Sequence, residues 1–272
     1  MPRFDTPEPI TVTLDIGVGD IRIVASDRAD TVVTVQPSDA ASIDDVKSTE
    51  RITVAYANGA LVVKAPKSWR RYKFGGGTDS IDVLIELPTN SRLLGEAAMA
   101  SLLCTGTLGE CRYKTGADDI SIERVDGPVE LKTGSGSISV DWIGEGANVR
   151  NGNGGIRIGE VIGELEAKSA NGAIRVDRAG ASATTKTALG DIRFDEVSAG
   201  SIDAETAMGK VDVAVRRGSA ALLDLYTSYG RVNNVLEAGE RPNPSEQAVE
   251  IRVHTSYGDI TISRAEIGLG AR

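Results

Sequence analysis

Apolar and polar residues alternate along this chain in short runs, and the runs return at a fixed interval. A glycine turn followed by an apolar–polar–apolar triplet appears as Gly136-Ser-Ile138-Ser-Val140, Gly154-Gly-Ile156-Arg-Ile158, Gly172-Ala-Ile174-Arg-Val176 and Gly190-Asp-Ile192-Arg-Phe194. The first apolar residue of each triplet serves as a marker. The markers are Leu102, Ile120, Ile138, Ile156, Ile174, Ile192, Val211, Val232 and Ile260, at intervals of 18, 18, 18, 18, 18, 19, 21 and 28. Equal intervals of this length mark an internal repeat. The longer final intervals read as insertions, with Glu240-Arg-Pro-Asn-Pro-Ser-Glu246 as the inserted loop of the last. A second alternating run ends five residues before each marker, as in Val129, Leu131, Thr133 before Ile138 and Leu165, Ala167, Ser169 before Ile174. Two period-two runs separated by glycine turns predict two β-strands per repeat.

Stacking such repeats sets each strand beside its counterpart 18 residues later, in parallel. The predicted fold is all-β: a parallel β-solenoid of about 18 residues per turn, with two sheets facing across a narrow core. Right-handed coiling is expected. Column 104, 122, 140, 158, 176, 194 reads Cys, Ile, Val, Ile, Val, Phe and is interior. Column 115, 133, 151, 169, 187, 206 reads Thr, Thr, Asn, Ser, Thr, Thr, and these small polar residues are expected to hydrogen-bond to one another along a corner. Residues 1–90 carry the unit more loosely, at Gly19-Asp-Ile21-Arg-Ile23 and at Ile52, Val54, Tyr56 followed by Gly59-Ala-Leu61-Val-Val63. This stretch is predicted to be an irregular β region that caps the solenoid, with Thr31–Val35 and Ser80–Leu87 as extra strands. Residues 91–265 form the regular solenoid and 266–272 a tail. Eleven markers predict a rod of roughly 50 Å at about 4.8 Å per rung. The last rung would be Gly258-Asp-Ile260-Thr-Ile262, offering an open end for a dimer unless the tail folds over it.

Composition narrows the function. Among 272 residues, two cysteines and one histidine leave no disulfide scaffold, no Cys/His zinc cage and little histidine chemistry. The net charge is −9. No apolar run approaches the length of a transmembrane helix, and the first residues, Met1 to Thr6, hold no apolar signal core, so the cytoplasm is the expected location. Cys104 and Cys111 fall on interior columns as buried thiols.

The series of Gly-x-[Ile/Val]-x-[Ile/Val] turns, with Glu86-Leu-Pro88 leading into the first regular rung, resembles a bacterial β-strand-repeat family named for candidate adhesins and also called toastrack domains. The resemblance covers nearly the whole chain. It implies a strand-repeat fold in a class largely of unknown function, and it supplies no catalytic residues. Some members of that family are exported or follow membrane segments, and some are linked to envelope-stress responses.

Four surface patterns could carry chemistry. Asp precedes the marker only at Asp20, Asp119, Asp191 and Asp259, too few for a calcium-binding roll, so no cofactor or metal is expected. An acidic column, Glu123, Asp141, Gly159, Asp177, Asp195, is the sole support for a remote alternative, a carbohydrate-active enzyme. A basic column, Lys114, Lys132, Arg150, Lys168, Lys186, keeps one sign at five consecutive repeats, and Glu130 and Glu166 can compensate it only in part. Separately, the loop from Lys64 to Phe74 gathers Lys67, Trp69, Arg70, Arg71, Tyr72 and Lys73, a mixture suited to lipid headgroups or stacked bases. The leading expectation is a non-enzymatic cytoplasmic scaffold or protein-interaction module, with a protein partner or self-association through a solenoid end. The alternative is a binder of anionic surfaces (membrane, nucleic acid or polyanion) through the basic column and the basic-aromatic loop.

Overall fold

The alternation becomes strands throughout the computed structural model, which describes residues 1–66, 79–236 and 248–266. The chain divides into two compact units, residues 1–142 and 143–272. The inserted loop read at Glu240–Glu246 and the basic-aromatic residues 67–74 lie outside the described residues, as does the tail beyond Glu266.

In the first unit the strands are β1 (Arg3–Asp5), β2 (Thr11–Ser26), β3 (Asp30–Pro37), β4 (Thr53–Ala57), β5 (Ala60–Lys64), β6 (Ser80–Pro88), β7 (Arg92–Leu108), β8 (Glu110–Ala117), β9 (Ile120–Val125), β10 (Val129–Ser135) and β11 (Ile138–Ile143), with helix α1 (Ile43–Thr49) between β3 and β4. Strands β2 and β7 are long enough to serve both faces. Their first halves join the sheet β4-β5-β2-β7-β8-β10, and their second halves join β1-β3-β6-β2-β7-β9-β11. The marker column runs through Ile21, Leu102 and Ile120 as expected. Leu61 is not in it. Asn58 and Gly59 both take positive φ, 50° and 75°, the geometry of a two-residue turn that folds strands back antiparallel. Tyr56 therefore pairs with Leu61, and Leu61 stacks on Val12. Val83 of β6 takes the place beside Ile21.

The outer edge of β6 is covered by β3, which runs antiparallel to it, and β1 runs antiparallel to β3. Helix α1, absent from the pattern-based prediction, packs beside β3 and β6. Ser42 caps it by accepting from the Asp45 amide, and the buried Asp45 carboxylate accepts from the amides of Asp39 and Ser80 at 3.1 and 3.2 Å.

The second unit contains β12 (Ala147–Asn153), β13 (Ile156–Val161), β14 (Leu165–Asn171), β15 (Ile174–Ala179), β16 (Ala183–Leu189), β17 (Ile192–Val197), β18 (Ser201–Met208), β19 (Val211–Val215), β20 (Ala220–Tyr229), β21 (Val232–Asn234), β22 (Ala248–Tyr257) and β23 (Ile260–Arg264). All pair in parallel, as β12-β14-β16-β18-β22-β20 and β13-β15-β17-β19-β23-β21. Rung order and chain order part company here. Ile260 sits between Val211 and Val232, so the last coil of the chain is an inner rung, and β20–β21 is the end. The burial of the inward faces follows that order. Strand β22, with neighbours on both sides, presents Val249, Ile251 and Val253, each at most 2% exposed, whereas Leu223 and Leu225 of β20 stay half-buried.

At each turn of the second unit a glycine carbonyl points at the next rung. A Cβ on Gly172 would lie 2.1 Å from the Gly154 oxygen, and one on Gly190 would lie 2.3 Å from that of Gly172. The corner hydroxyls do not bond to one another as expected. Thr187, Thr206 and Thr255 each donate to a glycine carbonyl of the neighbouring turn, those of Gly172, Gly190 and Gly209, at 3.0, 3.0 and 3.2 Å. In the first unit Asp118 holds the glycine place with φ +102°, a conformation costly for a residue with a Cβ.

Two outcomes follow from this packing. Ile156→Asp buries a charge in the stacked column of Ile156, Ile174 and Ile192 and is expected to cost about 4 kcal/mol, against about 0.5 for exposed Ser121→Asp; equal thermal shifts would contradict the register. Asp118→Gly relieves the strained backbone and should raise stability by about 1 kcal/mol in denaturant titration.

Candidate functional site

The parallel register brings the basic residues into line within each unit. Lys114 and Lys132 are partners across β8 and β10, and Arg150, Lys168 and Lys186 across β12, β14 and β16. Like charges at adjacent rungs repel, and outward-facing carboxylates answer them. Lys114 Nζ lies 3.3 Å from Glu130. Glu166 takes both Arg150, at 3.6 Å, and Lys168, and it also accepts from Asn148 at 2.7 Å. Lys186 meets Glu205 at 2.7 Å, where the column itself changes sign on β18. Compensation therefore goes further than the sequence suggested. Lys132 alone of the five has no ion-pair partner among the described residues.

Three members of these pairs, Glu166, Glu205 and Lys186, are shifted by their partners. The hydrogen bond from Lys168, with help from Arg150 and Asn148, holds the Glu166 carboxyl below its usual range despite some desolvation. Lys186 does the same to Glu205, and Glu205 in turn raises Lys186.

On the facing sheet Arg157, Arg175 and Arg193 form a second line, and Asp177 and Asp195 are threaded between them. Arg157 and Arg175 both reach Asp177, at 2.7 and 2.9 Å, while Arg175 and Arg193 both reach Asp195 at 2.5 Å. Burial pushes Asp195 up, and the hydrogen bonds from Arg193 and Arg175 more than reverse it. A glycosidase acid needs the opposite shift. Glu123 accepts from the Gly106 amide at 2.8 Å. Asp177 and Asp195 of the acidic column thus serve as counter-charges of the arginine line.

Other sequence candidates fall into place singly. Cys104 and Cys111 are buried and unbonded, and desolvation pushes the Cys111 thiol up to about 12. The Arg124 guanidinium lies 3.5 Å above the Trp142 ring. His254 faces outward on β22 and meets the edge of Tyr226, 5.1 Å between ring centres. Lys67, Trp69, Arg70, Arg71, Tyr72 and Lys73 lie outside the described residues.

One feature was missed. The residue just before each turn glycine of the second unit forms its own column: Asn153, Asn171, Leu189, Met208, Tyr257, Tyr229. It begins with an amide ladder, Asn171 donating to Asn153 at 2.7 Å. It ends in exposed apolar side chains, with the Tyr229 and Tyr257 rings stacked at 4.8 Å and 6°. Reading the position before each glycine down the repeat would have revealed it.

The ion-pair columns predict acid sensitivity. A carboxyl with a lowered folded-state value contributes stability above its unfolded pKa, about 4.3 for Glu, and loses that contribution as pH falls through the folded value. Melting temperature should therefore fall below about pH 4. Glu166→Gln combined with Glu205→Gln should lower it at pH 7 and flatten the acid limb, as read by thermal scans across pH.

Comparison with known proteins adds to this picture. A candidate adhesin from Bacteroides fragilis is similar at 12% identity, with 96% of this chain and 95% of that chain covered and a TM-score of 0.40. A candidate lipid-binding protein from Parabacteroides distasonis is similar at 17% identity, with 96% and 95% covered and a TM-score of 0.41. A candidate adhesin from Parabacteroides merdae is similar at 10% identity, with 96% and 94% covered and a TM-score of 0.36. The search of curated proteins found no match. The model of the Toastrack DUF4097 family matches residues 11–266, nearly the whole repeat array just described, and the chain belongs to that family.

Proposed function

We propose that this protein is a non-enzymatic interaction scaffold that works in the cytoplasm. The observation that carries the reading is the corner column. Where most cations of the basic column and the arginine line are paired with carboxylates, Leu189, Met208, Tyr257 and Tyr229 stand exposed in a straight apolar row on a rigid frame. Exposed apolar side chains in contiguous rows are what protein partners bury. The two unbonded thiols suit a reducing compartment.

A second reading, binding to an anionic surface, has its own support. Lys132 is uncompensated among the described residues, and Arg150 and Lys168 share the single carboxylate of Glu166. Such binding would be salt-sensitive, since exposed charges are screened over about 8 Å at physiological ionic strength.

Two triple variants separate the readings. Leu189→Ser, Met208→Ser and Tyr257→Ser together should abolish recovery of cross-linked partners from native lysate and leave retention on heparin or anionic liposomes unchanged. Lys132→Ser, Arg150→Ser and Lys168→Ser should do the reverse if the anionic-surface reading holds. A parallel set, Lys67→Ser, Arg70→Ser and Arg71→Ser, reports on the loop. Unchanged recovery of every partner in the apolar variant rejects the scaffold face.

A further inference from the structure

The two outermost coils of the repeat are finished differently. In the first unit β6 is covered by β3 and β1, with α1 alongside. In the second unit the terminal strand β20 pairs, among the described residues, only with β22, and β21 only with β23. Strand β20 is ten residues long and carries no lysine, arginine or proline. Those are the devices that normally keep an edge from pairing. Its inward Leu223 and Leu225 are half-exposed, while their rung neighbours Ile251 and Val253 are buried. Leu222, Tyr226 and Val232 are 65%, 56% and 46% exposed on the same rung.

We propose that this β20–β21 end pairs edge to edge, antiparallel, with the same end of a second copy of this chain. Among the described residues the end presents three things together: a strand edge in each of two facing sheets and an unclosed apolar core between them. A single added peptide strand satisfies one edge. Another copy's end supplies two edges and a core at once, and a two-fold axis normal to the sheets sets β20 against β20 and β21 against β21.

The residues of β20 select one register. Matching inward with inward faces requires the axis to pass through a residue. Centred on Asp224, the pairing sets two aspartates opposite each other, which is destabilising. Centred on Leu223 or Tyr226, it shortens the overlap. Centred on Leu225, it engages residues 221–229, packs Leu225 on its own counterpart, sets Leu223 against Thr227 and places Asp224 opposite Tyr226, whose hydroxyl can donate to the carboxylate. This proposal does not rest on the corner column as a partner face.

Sedimentation velocity of the full chain across concentration tests it, with a reversible dimer expected. Tyr226 is exposed, so its substitution leaves the fold intact. Tyr226→Arg meets Asp224 of the second copy twice and should tighten the dimer roughly three- to tenfold; Tyr226→Asp should loosen it by a similar factor. Under mild oxidation Leu225→Cys should link to its own counterpart, and Leu222→Cys, which faces Ser228, should not. A chain that remains monomeric at every concentration overturns the proposal, as does a dimer indifferent to both Tyr226 variants or one linked through Leu222→Cys instead.

Discussion

The solenoid depends on a close approach of backbone to backbone at its corners. Rungs hydrogen-bonded in parallel lie about 4.8 Å apart, and the turn carbonyl of one rung then points into the space where a Cβ of the next would sit. Only glycine leaves that space open, so the repeat is punctuated by glycine before it is decorated by anything else. The carbonyl still needs donors, and the Thr187, Thr206 and Thr255 hydroxyls supply them from inside the corner. One steric demand and one hydrogen bond thus set two columns of the sequence. Asp118 shows the cost of departing from them, since its backbone is forced into a glycine-like conformation to keep the register.

Once register is set, charge has to follow it. A residue type kept at one position of the repeat becomes a line of like charges; the arginine line is answered by aspartates at successive rungs, and the lysine-rich column by single carboxylates, Glu130, Glu166 and Glu205. Asp177 and Asp195 each bridge two arginines, so the line is cross-braced rather than paired off one to one. Glu166 plays the same part for Arg150 and Lys168. Exposed pairs of this kind contribute little individually. Their larger effect is on specificity: a slip of one residue would turn these charges toward the core. Charge used in this way is largely satisfied within the wall, in contrast to the exposed apolar side chains of the corner column.

The repeat made much of this legible. Intervals of 18 predicted which residues would stack, and Ile156 on Ile174 on Ile192 follows directly. Pairing order was harder to read, because parallel strands are chosen by competition between distant segments rather than by local pattern. Strands β20 and β22 both alternate and both carry apolar inward residues, so the local pattern does not distinguish the inner from the outer. The Asn58–Gly59 turn was a readable hairpin signal obscured by the periodic template laid over it. Helix α1 is short, and a buried aspartate, a residue seldom found inside, anchors it. The ion-pair braces depend on which way long side chains lean, which spacing alone does not specify. The column before the turn glycines was visible in the sequence, hidden only by attention to the strands.

The inner position of β22–β23 has a consequence for how the chain is made. A solenoid whose rungs follow chain order can wind up as it leaves the ribosome, each new coil docking on the last. Here the coil that should rest on β18–β19 is synthesised after the coil that will finally lie outside it. Until residue 264 has emerged, β20 and β21 have no correct neighbour, and the nearest surface open to them is the one reserved for β22 and β23. The second unit therefore cannot be completed until its inner coil, made after its outer one, has emerged. The growing chain must either hold β20–β21 unattached or release a misplaced pairing before the final coil can enter.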